Sequence, residues 1–396
     1  STDAGESWTQ FRAGVPTVSV MDMAIQQREN DLVLGTHGRG IFVIDDYSGL
    51  RGLNANGLRQ RLDILSATDG LQYLPAQTPS TRFPGSGEFR ADNEPYGAII
   101  TFVASGDDLA HPDEDKERQR KMAQRNAGAD KDGDKPNRDK PLKVKIEVSN
   151  EDGKVIRTFT AEVHQGINRV AWNLRHDGVR PMPGGDAPDP DADLPSGPRV
   201  PGGEYTIALS LGSGDDEARD SIAVSVVTDP RLGVSEAARR ANYTTLLELN
   251  EMEEQLVSAT EQVVRAREDL DTVKSLISRR QKQDDSGEAE NMKALKERID
   301  AARKSLDEVE KAFRTPPDTK GIVFDDHRVA NKLGSAQYYV ASTLDAPSPA
   351  TQVYIEEAGR ALAAALEKLD AVMSGEVEPL RADIEAAGIR LLSTSR

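Results

Sequence analysis

The chain has 396 residues, enough for two to four domains at about 100–200 residues each. Its formal charge of −17, with 30% charged residues, excludes nucleic acid and anionic membrane surfaces as natural partners, because both would repel it. It has no cysteine, which rules out disulfides and thiolate-ligated zinc, and no apolar run approaches the roughly 20 residues that a membrane-spanning helix needs.

Residues 1–46 read as sheet. The opening octet, Ser1-Thr2-Asp3-Ala4-Gly5-Glu6-Ser7-Trp8, has the form Ser-x-Asp-x-Gly-x-x-Trp. Asp3 is placed to accept backbone N–H groups across a tight turn, Gly5 to relieve the backbone there, and Trp8 to pack a large ring between strands. Strand-like stretches follow at Val18 to Ile25, Asp31 to Gly35 and Ile41 to Ile44, separated by short turns. Residues 47–94 are expected to be an irregular connector with a short helix near Gly57 to Leu62.

Residues 95–229 predict a β-sandwich of immunoglobulin or fibronectin-like architecture. Its candidate strands are Gly97 to Ala104, Leu142 to Ser149, Val155 to Ala161, Asn168 to Leu174, Glu204 to Leu211 and Ser221 to Val227. The run Lys143 to Val148 alternates polar and apolar without a break, and Asn150-Glu151-Asp152-Gly153 reads as the hairpin turn after it. Trp172 is the expected core anchor, with Tyr205 opposite. Two insertions interrupt the pattern. Residues 105–141 have almost no apolar side chains and predict disorder or a weak helix, and residues 182–198, rich in Pro, Gly and Asp, predict an extended loop.

Residues 235–396 read as helical. Leu249, Met252, Leu256, Ala259, Val263, Ala266, Leu270, Val273 and Ile277 alternate in steps of three and four, as do Met292, Leu295, Ile299, Ala302, Leu306, Val309 and Phe313. The polar break at residues 283–288 makes the two helices antiparallel neighbours. The first would extend roughly 70 Å at about 1.5 Å per residue. Ser235 is placed as its N-cap, and Thr315-Pro316-Pro317 ends the second helix. Helices are expected over Asp325 to Leu344, Pro349 to Met373 and Val377 to Ala387, packed on the base of the hairpin, with Gly388 as a C-cap. The fold class is therefore multidomain, β then α.

These parts together resemble the C-terminal half of large bacterial sortilin-like proteins with neuraminidase-type (Asp-box) repeats, many of them labelled glycosyl hydrolases. The octet carries the resemblance first, with Ser1, Asp3, Gly5 and Trp8 in the Asp-box positions. Leu34 to Asp46, Gly166 to Arg175, Gly197 to Tyr205 and Leu380 to Leu392 extend it. The resemblance implies partial β-propeller blades in residues 1–46, then a sandwich, then a helical hairpin and bundle. Because such a repeat cannot stand alone and here opens the chain without an initiator Met, the chain is expected to be the tail of a larger, exported protein, extracellular or periplasmic. A shared repeat does not establish a reaction.

No catalytic constellation, cofactor motif or metal-ligand spacing emerges. A glycosidase needs two carboxylates about 5–5.5 Å or about 6.5–9.5 Å apart. The candidate ligand-facing residues are His37 and Arg39, in a Gly-flanked turn, and Asp45 and Asp46, at a strand end. All four fit a hairpin turn or a strand end equally well. The expected role is structural support with protein–protein contact or self-association through the helices. The alternatives are the accessory region of a glycan hydrolase and a peptide-binding receptor, with glycan or peptide held by the propeller.

Overall fold

Strands come first along the chain and helices second, in two compact units: residues 1–177 with 199–233, and residues 178–198 with 234–396. This computed structural model describes residues 1, 5–8, 15, 17–53, 57–74, 93–126, 142–184, 192–283, 289–317, 319–321, 325 and 327–389. Asp3 of the predicted turn lies outside them.

The strand unit opens with a small antiparallel sheet of β1 (Val20–Gln26), β2 (Asp31–Thr36) and β3 (Ile41–Ile44) in that order. Met23 pairs with Leu34 and Leu34 with Phe42, so these side chains share one face; Val33 and Val43 share the other. A short helix, α1 (Ser48–Arg51), follows.

The predicted sandwich strands form as β6 (Ala98–Ala104), β7 (Lys143–Ser149), β8 (Val155–Glu162), β9 (Gly166–Trp172), β12 (Gly203–Leu211) and β13 (Ala218–Thr228). The stretch read as an irregular connector adds two more, β4 (Leu62–Ala67) and β5 (Gly70–Gln72), and two short strands, β10 (Arg175–Asp177) and β11 (Ser196–Arg199), precede β12. One sheet has the order β4-β6-β9 and the other β5-β13-β12-β7-β8. β5 escaped prediction because it is only three residues long and runs parallel to β13, a pairing that leaves no hairpin signal. The two inner faces meet at Trp172 and Tyr205, whose ring centroids are 5.1 Å apart. The Trp172 indole donates to Arg175 O at 3.0 Å and the Tyr205 hydroxyl to Pro201 O at 2.9 Å, so both polar tips are satisfied inside the core. At one edge the Ile64 N–H donates to the Asp220 carboxylate at 2.7 Å, which ties β4 to β13, and one of the sheets is curled into a half-barrel.

β7 alternates exposed and buried residues as its sequence predicts. The turn after it closes through Gly153 N–H to Asn150 O at 2.9 Å, with Gly153 at φ 76°. The charged insertion holds a defined helix, α2 (Glu114–Asn126), and residues 127–141 lie outside the described residues. Asp113 caps α2 by accepting the Asp115 and Lys116 N–H groups. Glu117 accepts Arg120 and the His111 N–H, so charge pairing supplies what apolar burial does not.

The helical unit contains α3 (Glu236–Gln283), α4 (Ala289–Phe313), α5 (Val329–Ala341), α6 (Pro349–Val372) and α7 (Glu378–Ala386). The Ala238 N–H donates to Ser235 Oγ at 3.2 Å, the expected N-cap. α3 and α4 are antiparallel: Arg267 pairs with Asp307, Asp271 with Arg303 and Lys274 with Asp300, partners that fall along one helix as they rise along the other. Both apolar stripes are buried in a single core. The residues of the hairpin tip, 284–288, lie outside the described residues.

Two expectations for this part change. The described start of the loop at residues 182–198 packs with the helices and not with the sheets: Pro183 O accepts the Arg314 guanidinium, and Met182 packs against the helical core. The later helices also cover more than the base of the hairpin. Gly359 lies beside Met252, Glu376 accepts Ser305 Oγ, Asp383 pairs with Arg298, and Arg280 donates to Gly388 O, so α6 and α7 run toward the tip. Between them a single π-helical turn, Met373–Val377, accommodates Pro379, which has no N–H for an i−4 bond. Gly388 adopts φ 62° at the helix end, as expected of a C-cap.

Candidate functional site

The four residues singled out in the sequence occupy the two opposite ends of the β2–β3 hairpin. His37 and Arg39 are exposed in its turn. There Thr36 closes the chain on Gly40 O through both its N–H, at 3.2 Å, and its hydroxyl, at 2.6 Å. Gly38 and Gly40 have φ of 74° and 82°, which only glycine adopts freely, so this turn needs its glycines for geometry alone. The His37 N–H donates to Ser19 O at 3.0 Å, and the Arg39 side chain stands exposed beside it. Asp45 and Asp46 lie four strand residues away, about 13 Å at the rise of an extended strand, so the two pairs do not converge.

Asp45 and Asp46 form a corner with a different set of neighbours. Asp46 is buried, at φ 38°. Its N–H donates to Asp31 Oδ1 at 3.1 Å, and its own Oδ1 accepts the Ser48 N–H at 3.1 Å and the Ser48 hydroxyl at 2.5 Å. The carboxylate therefore starts α1. Arg169, from the middle of β9, donates to both Asp45 O, at 2.6 Å, and Asp46 O, at 2.5 Å. In register, Arg169 lies opposite Thr101 and Thr101 opposite Ser66, so the guanidinium stands in a polar row crossing the outer face of the β4-β6-β9 sheet. Arg169 thus latches the end of the small sheet onto the β4-β6-β9 sheet. Sequence reasoning placed Arg169 within a resembling segment but assigned it no role, because its partners are carbonyls 123 and 124 residues away.

Glu94 completes the corner. Partial desolvation and the carboxylates of Asp45 and Asp31 raise its pKa, and Arg169 opposes them. This is an acidic corner held by one guanidinium. Among the described residues no group of three or more His, Asp or Glu side chains converges to hold a metal ion. A second acidic place lies at the other edge of the sandwich. Arg61 there makes a two-pronged pair with Asp108 at 2.6 and 2.7 Å, beside Asp216 and Glu217, and the cavity they line holds about 470 Å³. The same arginine holds Ser105 O at 3.0 Å, so it is committed to fixing the loop after β6. Ser1 Oγ accepts the Gly5 N–H at 2.7 Å and Gly5 adopts φ 99°, so the described part of the opening turn is locally closed, with Trp8 exposed.

No helix among the described residues is long and apolar enough to cross a membrane. No family model matches the chain, and no curated protein matches it. A solved structure, pT26-6p, aligns over 73% of this chain and 46% of its own length at 13% identity with a TM-score of 0.14, so the chain spans less than half of that protein.

Proposed function

We propose that this chain is a non-catalytic, C-terminal module of an exported Asp-box propeller protein. In this reading β1–β3 belongs to a blade, a fibronectin-like sandwich braces it through Arg169, and the helical unit makes protein–protein contacts. One observation carries the reading. The small sheet carries apolar side chains on both faces: Met23 and Ile25 stand with Leu32, Leu34, Phe42 and Ile44 on one, and Val33, Ile41 and Val43 on the other, beside Asp22, Gln26 and Asp31. Met23 is 65% and Ile41 71% exposed, one on each face. An antiparallel sheet that ends a structure turns a polar face to water; one apolar on both sides is made to be sandwiched between neighbours. The corner at Asp45 and Asp46 supports the same role, because its N–H, carbonyl and carboxylate groups bond Asp31, Ser48 and Arg169 and so tie the end of the small sheet to its neighbours.

Hydrogen exchange tests this. In the isolated chain, the amides of β1–β3 are expected to exchange far faster than those of β12 and β13, and to gain protection when the chain is produced joined to further blades. Equal protection of β1–β3 and β12–β13 in the isolated chain would show a sheet that needs no neighbours. Hydrolysis of a glycan panel by the isolated chain would refute the non-catalytic part.

A further inference from the structure

The heptad stripes of α3 and α4 are the obvious surface for a partner, but they are used up inside the helical unit, where α5, α6 and α7 cover them. What remains is elsewhere. Among the described residues of this unit, the large apolar and aromatic side chains left exposed are Tyr338 and Tyr339 on α5 and Val353 and Tyr354 on α6, at 70%, 42%, 52% and 41%. The three rings form one patch, and Val353 neighbours Tyr354 in the chain. The Tyr338 and Tyr339 ring centroids are 5.6 Å apart at 72°, and Tyr339 and Tyr354 are 4.6 Å apart at 36°. The backbone beneath is fixed: Asn242, buried on α3, donates to Val340 O at 2.9 Å and Asp345 O at 2.9 Å, which pins the end of α5, and Gln337 donates to Glu253 at 2.7 Å.

We propose that this tyrosine patch is the surface through which two copies of the chain pair about a two-fold axis. The inference rests on the reading of the helical unit as a contact module and names the surface and the partner. Three observations favour a second copy. The first is size. With about 200 Å² per aromatic side chain, the exposed part of the three rings amounts to roughly 300 Å², to which Val353 adds. A stable interface covers about 800 Å² per partner, of which a little over half is apolar, so the patch supplies the apolar centre of one standard interface. The second is charge. One helical turn beyond Val353 and Tyr354 stand Glu356 and Glu357, and close to them their partners Arg360, at 3.7 Å, and Lys332, at 3.3 Å. The rim therefore carries both signs. A two-fold axis requires a self-complementary surface, and a mixed rim meets that requirement, whereas a rim of one sign would call for a partner of the other. The third is order. The rings already brace one another, so little side-chain freedom is lost on contact, the property of tyrosine anchors at binding centres.

The test is light scattering and sedimentation velocity of the intact chain at micromolar concentration. Three proteins are compared: the wild type, a Tyr338→Ser/Val353→Ser variant, and a Met23→Ser/Ile41→Ser variant that alters only the small sheet. All four positions are exposed, so circular dichroism melting should be unchanged. The expected result is a wild-type dimer, retained by the sheet variant and weakened about thirtyfold or more in its dissociation constant by the tyrosine-patch variant. A monomeric wild type, or a dimer that the patch variant keeps, would overturn the proposal. A dimer lost only in the sheet variant would also overturn it, and would leave the blade reading standing. Failure of the blade reading shows separately, in the exchange rates of β1–β3.

Discussion

Substituting Gly97 probes the joint between β6 and the core tryptophan directly. Gly97 has φ 127°, and a Cβ built on it would lie 1.9 Å from Trp172 O, 2.8 Å from Trp172 C and 3.0 Å from Asn173 Cα. A carbon needs about 3.3 Å from a carbonyl oxygen, so in Gly97→Ala the β9 backbone must retreat by about 1.4 Å. That retreat acts on the Ala98–Trp172 pair at the end of the ladder and on a fully buried indole. The left-handed backbone costs about 1–3 kcal/mol for a residue with a Cβ. The forced shift of packed core costs about 1–3 kcal/mol more. Together the loss is about 4 kcal/mol, a large part of the about 5–15 kcal/mol that holds a typical domain. The control is Gly153→Ala: φ is 76°, but nothing lies within 4 Å of the added methyl, so only about 1–2 kcal/mol of backbone strain remains. Urea unfolding followed by tryptophan fluorescence reads both. The chain has two tryptophans, of which Trp8 is exposed and Trp172 buried, so a Trp8→Phe background makes Trp172 the single reporter. If Gly97→Ala costs no more than Gly153→Ala, the close approach of residue 97 to β9 is not a constraint on the fold and the reasoning fails.

Arg169→Ala removes both donors to Asp45 O and Asp46 O, and limited proteolysis should cut within residues 45–53 at least ten times faster, while the sandwich core keeps its protection. Glu310→Ala leaves the half-buried Arg267 and the buried Arg314 without their shared carboxylate, contacts of 2.5 and 2.8 Å, and should destabilise the helical unit by about 3–5 kcal/mol in thermal melts followed at 222 nm, with Glu310→Gln falling between. Glu117, held by Arg120 and the His111 N–H, has its pKa lowered to about 2. The folded pKa lies below the ordinary 4.5, so the stabilisation is complete above 4.5 and disappears as pH falls through about 2. α2 should accordingly lose exchange protection across that window, and Glu117→Gln should lose it at neutral pH. Leu306→Ala, in the fully buried stripe between α3 and α4, should cost about 2–5 kcal/mol in the same melts, and an exposed stripe would give almost nothing.

How much of this was legible in the residues depends on how far apart the interacting groups lie. Periodic runs declare themselves. The alternation of Lys143 to Val148 and the three-four spacing of Leu249 to Ile277 and Met292 to Phe313 each place an apolar row on one side of a regular element, and burial follows that row in both cases. Turns and caps are equally local: Asn150 to Gly153, Ser235 and Gly388 act through backbone groups a few residues away. Trp172 and Tyr205 were legible as core anchors because few aromatic residues are available in the chain, and an apolar ring with one polar tip has few other places to go.

Only the tertiary structure decided the rest, because the partners are distant in sequence and their own segments carry no period. β5 becomes a strand by lying parallel to β13, and Arg169 becomes a latch by meeting carbonyls on the far side of β4 and β6 in the chain. The same is true of the exposed faces. Residue types in β2 and β3 show that both sides of a strand pair carry apolar side chains, and only the folded chain shows that Met23 and Ile41 stay exposed among the described residues. Tyr338, Tyr339 and Tyr354 look like ordinary positions on two amphipathic helices, since a helix's own spacing tells which residues share a face but not which face a neighbour leaves bare. Burial is a property of pairs of elements, and the residues that remain outside every pair are known only once all the pairs have formed.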